Sequence, residues 1–180
     1  MNAARAYDQL AAGEYHPTEA GGGGGGGGTG NTVPLLGWDK FSVNFGLTNI
    51  YQVGHVASGE FRLTLDWYRN VATGAGLSYS VTSFNDLDLL LWRSPDAAFT
   101  NLTFVAASRS TVDNVEHLFL TNMPTGYYQF GVHFISRPIG ADGSEIYSIA
   151  WSLQSVPEPS LFGLCVLGAG VLVWFHRRRV

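Results

Sequence analysis

The chain has 180 residues, with 14 acidic and 10 basic side chains, five histidines and one cysteine. Ahead of Leu161, fourteen acidic residues stand against seven basic ones, and a net charge of −7 there argues against nucleic acid as a partner. The only cysteine, Cys165, lies in an apolar run near the carboxyl end, which excludes a disulfide framework and a cysteine metal site in the body.

Taken in order, residues 2–12 favour a helix, because Ala3, Ala4, Ala6, Leu10, Ala11 and Ala12 are good helix formers and Gly13 suits the C′ position. Residues 1–10 contain no apolar h-region, so they do not form a secretory signal. A body carried outside the cell normally follows such a signal, so the chain is expected to be the downstream piece of a longer protein, or its start to be misassigned. Asn2-Ala3-Ala4-Arg5-Ala6-Tyr7 followed by Gly13 resembles the closing helix of subtilisin-like serine peptidase domains. That resemblance implies a catalytic domain encoded upstream. Gly21–Gly28 is an unbroken octaglycine. Glycine loses the most backbone entropy on ordering, so residues 14–32 are expected to form a flexible linker.

From Val33 to Gln154 the apolar residues recur with period two. Phe41, Val43 and Phe45 form one set, and Phe61, Leu63, Leu65 and Trp67 another. Further sets are Leu87, Leu89 and Leu91; Leu102, Phe104 and Ala106; Tyr128, Phe130, Val132 and Phe134; and Tyr147, Ile149, Trp151 and Leu153. Each reads as a strand with one face on a core, and glycine and proline clusters between them supply turns. The fold class is mainly β: an antiparallel β-sandwich of jelly-roll type over residues 33–154, preceded by the helix of residues 1–13.

Leu63-Thr-Leu-Asp-Trp67, Asp86-Leu-Asp-Leu-Leu90, Val112-Asp-Asn-Val-Glu-His117, Pro124-Thr-Gly-Tyr127 and Tyr147-Ser-Ile-Ala-Trp151 follow one another in an order similar to bacterial pre-peptidase C-terminal domains. These β-sandwiches are appended to secreted peptidases. The resemblance implies an accessory role in attachment or secretion, with catalysis placed elsewhere.

The residues themselves carry no catalytic motif: no Gly-x-Ser-x-Gly elbow and no His-Glu-x-x-His spacing occurs. The chain is therefore not expected to be an enzyme in its own right. Calcium is the best candidate chemistry. Asp86 and Asp88 share one strand face about 7 Å apart, and Asp113, with Asp66 and Glu116 available, supplies further oxygens for a hard cation. The same aspartates also read as a solvated face. Trp38, Tyr68, Tyr79, Trp92 and Tyr127 lie near turns or off the alternating faces, where aromatic rings can stack on sugars.

Residues 155–180 close the chain with Val156-Pro157-Glu158-Pro159-Ser160, an apolar run from Leu161 to Phe175, then His176 and Arg177, Arg178 and Arg179. No charged residue lies between Glu158 and Arg177. Fifteen helical residues span about 22 Å, so with flanking residues and snorkelling arginines the segment is expected to cross a thin bilayer as a single transmembrane helix. Positive flanks stay in the cytoplasm, which sets the body outside. Pro157, Glu158 and Pro159, one span and a terminal arginine cluster together resemble the PEP-CTERM sorting signal of bacterial envelope proteins. The resemblance implies an exosortase-type enzyme as partner, which recognises the triplet and cleaves the tail. The expected product is an exported cell-envelope accessory domain, transiently anchored in the inner membrane. The alternatives are the C-terminal fragment of a secreted subtilisin-like protease, or a surface or biofilm-matrix protein that binds extracellular polysaccharide.

Overall fold

A computed structural model describes residues 3–20, 31–74, 76, 78–140 and 143–155 of the chain. It opens with helix α1, Ala3–Ala11, which ends at Gly13 in the left-handed conformation that glycine reaches without steric cost. Eleven strands follow among the described residues: β1 Thr18–Ala20, β2 Asn31–Val33, β3 Leu36–Asn44, β4 Thr48–Val56, β5 Gly59–Trp67, β6 Asn70–Thr73, β7 Tyr79–Ser94, β8 Thr103–Ser108, β9 Val115–Met123, β10 Gly126–Ile139 and β11 Ser144–Ser155.

They form two sheets. The seven-stranded sheet runs β1-β4-β10-β7-β6, with β2 also paired to β4 and β8 also paired to β7. The four-stranded sheet runs β3-β11-β5-β9. Every pairing is antiparallel except β2 with β4. Thr18–Ala20 falls inside the stretch expected to be linker, yet its backbone pairs with Thr48–Ile50 of β4.

Alternation does what the sequence leads one to expect in β5. Phe61, Leu63, Leu65 and Trp67 are buried while Arg62, Thr64 and Asp66 face out. Facing inward from the opposite sheet are Leu87, Leu89, Leu91, Tyr128, Phe130, Val132 and Phe134. Tyr51 stacks on Phe130 at 4.9 Å between centroids, and Phe130 meets Trp151 at 5.3 Å. Trp151 can lie this close to β3 because Gly37 has no side chain: a Cβ there would stand 2.5 Å from the indole. Its ring nitrogen donates to the Pro34 carbonyl at 2.9 Å.

Two expected core positions turn outward. Phe45 is 45% exposed in the turn just after β3, where it packs edge-on against Phe134 under the Arg137 guanidinium. Phe104 is 53% exposed on β8, where a register shift sets Ala106 opposite the core residue Leu91 but Phe104 opposite Trp92, on the other face. No helix among the described residues is long and apolar enough to cross a membrane. The expected span, Leu161–Phe175, lies outside them, as do Pro157, Glu158, Pro159, Arg177, Arg178 and Arg179.

Candidate functional site

The outer face of the four-stranded sheet carries a groove of about 520 Å³. Arg62 and Thr64 from β5, His117 from β9 and Ser152 and Gln154 from β11 line its floor, and Asp8 and Gln9 of α1 form one wall. The helix is held there by side chains reaching backbone: Gln9 Nε2 donates to the Trp151 carbonyl at 3.0 Å, and the Trp38 indole nitrogen donates to the Leu10 carbonyl at 3.2 Å. Arg62 lies over the Phe119 ring at 4.8 Å and pairs with Glu60 at 2.9 Å. Thr64 Oγ1 contacts His117 Nδ1 at 2.9 Å. This surface offers a cation, an imidazole, hydroxyls and an amide to a polar ligand. Among the described residues the hydroxyl–imidazole contact stops there, because His117 bonds no carboxylate that would orient it as a general base.

The expected calcium residues are divided between β7 and the loop before β9. Asp86 and Asp88 lie on β7, and both are buried, contrary to a solvated face. The run from Phe84 to Trp92 is buried on both faces, although β8 pairs only with its far end, Leu89–Arg93, and Asp86 and Asp88 have β10 alone as hydrogen-bonded neighbour. Asp88 pairs with Arg109 at 3.2 Å, and Asp86 accepts a bond from Ser136 at 2.9 Å while its other oxygen, buried, has no partner. The Asp88 carboxyl is raised from 3.8 to about 6, chiefly by burial, with Arg109 pulling it down and Asp86 and Glu116 adding to the rise. Asp113 stays exposed before β9 and accepts from Ser110 at 2.8 Å. Ser110 also gives its backbone N–H to the buried Glu116, so Asp113 and Glu116 share a partner. Asp86, Asp88 and Asp113 are not a set of three whose donor atoms converge within 4.8 Å; that arrangement occurs elsewhere.

It occurs at Glu14, His16 and Asp39, whose ligand atoms all lie within 4.8 Å of one another. Asp39 is an inward position of β3, opposite Ile149 of β11, and is 0% exposed. One oxygen contacts His16 Nδ1 at 3.0 Å, and the other accepts from Tyr51 Oη at 2.8 Å, across the sandwich. Tyr51 and Tyr147 hydroxyls are 2.7 Å apart, and Asn49 Nδ2 donates to Tyr147 at 2.9 Å. Because Tyr51 gives its proton to Asp39, Tyr147 must donate to Tyr51, so the chain of donors runs from Asn49 to the carboxylate. Burial pushes both phenols well above their usual range, which keeps them neutral donors. Burial raises Asp39 as well, with the bonds from Tyr51 and His16 acting against it.

The segment bearing Glu14 and His16 is fixed to the sheet. Tyr15 N donates to the Trp38 carbonyl at 3.0 Å, and Trp38 N donates to Gly13 at 3.3 Å. The Tyr15 ring packs on Trp151, and the His16 ring lies 5.2 Å from Phe41. Sequence reading put His16 in a linker and missed Asp39. The signal was there: inward Phe41 and Val43, carried two residues back, place Asp39 on the same face.

The proposed sugar-stacking aromatics divide. Trp92 is buried and so is not available, Trp38 is half-buried against α1, and Tyr127 is half-buried between His55 and Phe99. Tyr68 and Tyr79 are exposed.

The sequence matches no known protein-family profile. It also matches no curated protein. Among solved structures it is similar to the pre-peptidase C-terminal domain of a collagenase from Bacillus anthracis, at 18% identity and a TM-score of 0.44 over 68% of this chain and 93% of that one. It is similar to the Yersinia pseudotuberculosis-derived mitogen at 12% identity and a TM-score of 0.44, covering 71% of this chain and 93% of that one. A xylan-binding module, CBM15, aligns at 10% identity and a TM-score of 0.37 over 78% of this chain and 92% of that one. These likenesses concern the β-architecture alone and assign no function.

Proposed function

We propose that the chain is an exported, non-catalytic accessory domain of the bacterial cell envelope, delivered by a carboxyl-terminal sorting tail that an exosortase-type enzyme removes. The observation that carries this reading is the junction between sandwich and tail. The last strand, β11, pairs through Ser155, where Ser155 lies opposite Gly59 of β5. Pro157, Glu158 and Pro159 follow at once, then the apolar run and the arginines. Cleavage beyond Pro159 therefore leaves every strand of the described residues on the product, which should keep its fold. The groove over β5, β9 and β11 is the surface left to engage an envelope partner, with Arg62, His117 and Gln154 as its polar contacts.

The test is expression of the full chain, behind a secretory signal, in a bacterium that possesses the processing machinery, followed by intact-mass measurement of the envelope fraction. The wild-type chain should lose its apolar run, whereas a variant with Pro157, Glu158 and Pro159 all changed to Ala should keep it. Wild-type protein that stays in the cytosol with residues 161–180 intact would refute the proposal.

A further inference from the structure

We propose that Glu14, His16 and Asp39 form a binding site for a divalent cation of the zinc type, which clips the amino-terminal segment to β3. The argument starts from charge. Asp39 is fully buried, and the charged groups acting on it are the imidazole of His16 and the carboxylate of Glu14; no lysine or arginine is among them. A buried carboxylate ordinarily needs a positive partner, and here a second carboxylate adds repulsion. A divalent cation between the three side chains converts that repulsion into coordination.

Geometry agrees. Three ligand atoms lie within 4.8 Å of one another, a spacing compatible with one ion bonded to each at about 2.0–2.2 Å once the side chains draw in. The site also has the outer support that metal sites use: Tyr51 holds the second oxygen of Asp39, and Tyr147 and Asn49 hold Tyr51 in turn. Two backbone hydrogen bonds between residues 13–15 and Trp38 set the ligands in place before any ion arrives.

The donor set selects the metal class. Calcium and magnesium prefer oxygen shells, whereas one imidazole with two carboxylates suits zinc and its first-row neighbours. Glu14 and His16 are exposed, so the site opens to solvent and a water can complete four-coordination. The role is structural. The chain between ligands contains Gly21–Gly28, and an ion that joins His16 to Asp39 closes this loop in a protein whose body has no disulfide.

The experiment is a calorimetric titration of untagged, full-length protein in detergent with zinc alone, repeated with Glu14→Gln, His16→Gln and, as a control histidine, His117→Gln. Because Glu14 and His16 are exposed, both substitutions should leave the β-rich circular dichroism spectrum unchanged. The expected result is one site per chain in wild type and His117→Gln, weakened about tenfold or more by either ligand substitution. Zinc should also raise Tm in wild type but not in Asp39→Asn, which retains an acceptor for Tyr51 without the charge. The site is overturned if wild type binds no zinc, if binding survives both ligand substitutions, or if His117→Gln abolishes it.

Discussion

Asp39 and Asp88 are two carboxylates buried in opposite sheets, and they are satisfied by different means. Asp39 receives a hydroxyl relay from Tyr51, Tyr147 and Asn49 together with one imidazole. Asp88 receives the guanidinium of a half-exposed arginine and stands near Asp86 and Glu116. In the first environment the two tyrosines belong to the core and cannot leave, and only His16, 57% exposed, can swing into solvent. The second depends on a single flexible side chain, Arg109, which is 58% exposed. Directional neutral donors thus hold one charge in place, whereas the other is balanced across a solvent boundary where screening weakens the pairing.

The hardest way to break the contrast is Trp151→Ala. Trp151 packs against Tyr51, Phe130 and Tyr15, so its loss should cost about 3–5 kcal/mol by urea unfolding and release the Asp39 region. Asp88 sits on the other sheet, and its titration should be unchanged in the same variant.

Next in size is pH. The folded Asp88 carboxyl titrates at about 6 and the unfolded one near 3.8, so between these values the folded state holds more protons. Stability should therefore fall as pH rises from about 4 to about 6 and level off above, by at most about 3 kcal/mol. Asp88→Asn should abolish that slope. If calcium binds at Asp86 and Asp88, added calcium should flatten it in wild type, and chelation should restore it.

The smallest effect is expected from Arg109→Ala. The half-exposed pair should be worth about 1 kcal/mol, and the Asp88 titration, followed by NMR, should move upward from about 6. An unchanged titration would mean that Arg109 spends its time in solvent.

Strand-by-strand burial was legible in the sequence wherever one face meets the core, as in β5. It failed where a strand is covered on both sides. In β7 the run Leu89-Leu90-Leu91-Trp92 already departs from alternation, and that departure was the sign that the neighbouring Asp86 and Asp88 would be enclosed rather than solvated. The Glu14–His16–Asp39 cluster was harder to see. Its members are separated by a glycine tract, and only the backbone pairing of residues 13–15 with Trp38 brings them together. Ligand spacing along a chain reveals sites built within one turn or loop, not those assembled by a strand returning from elsewhere.

The position of β11 has a consequence for biogenesis. The last strand among the described residues fills the slot between β3 and β5, so until β11 has emerged those two strands have no hydrogen-bonded contact with each other. Synthesis cannot finish this sheet early, because its central pairing joins segments far apart in the chain. The same delay exposes unpaired edges to other chains, so a holdase that shields them should improve yield.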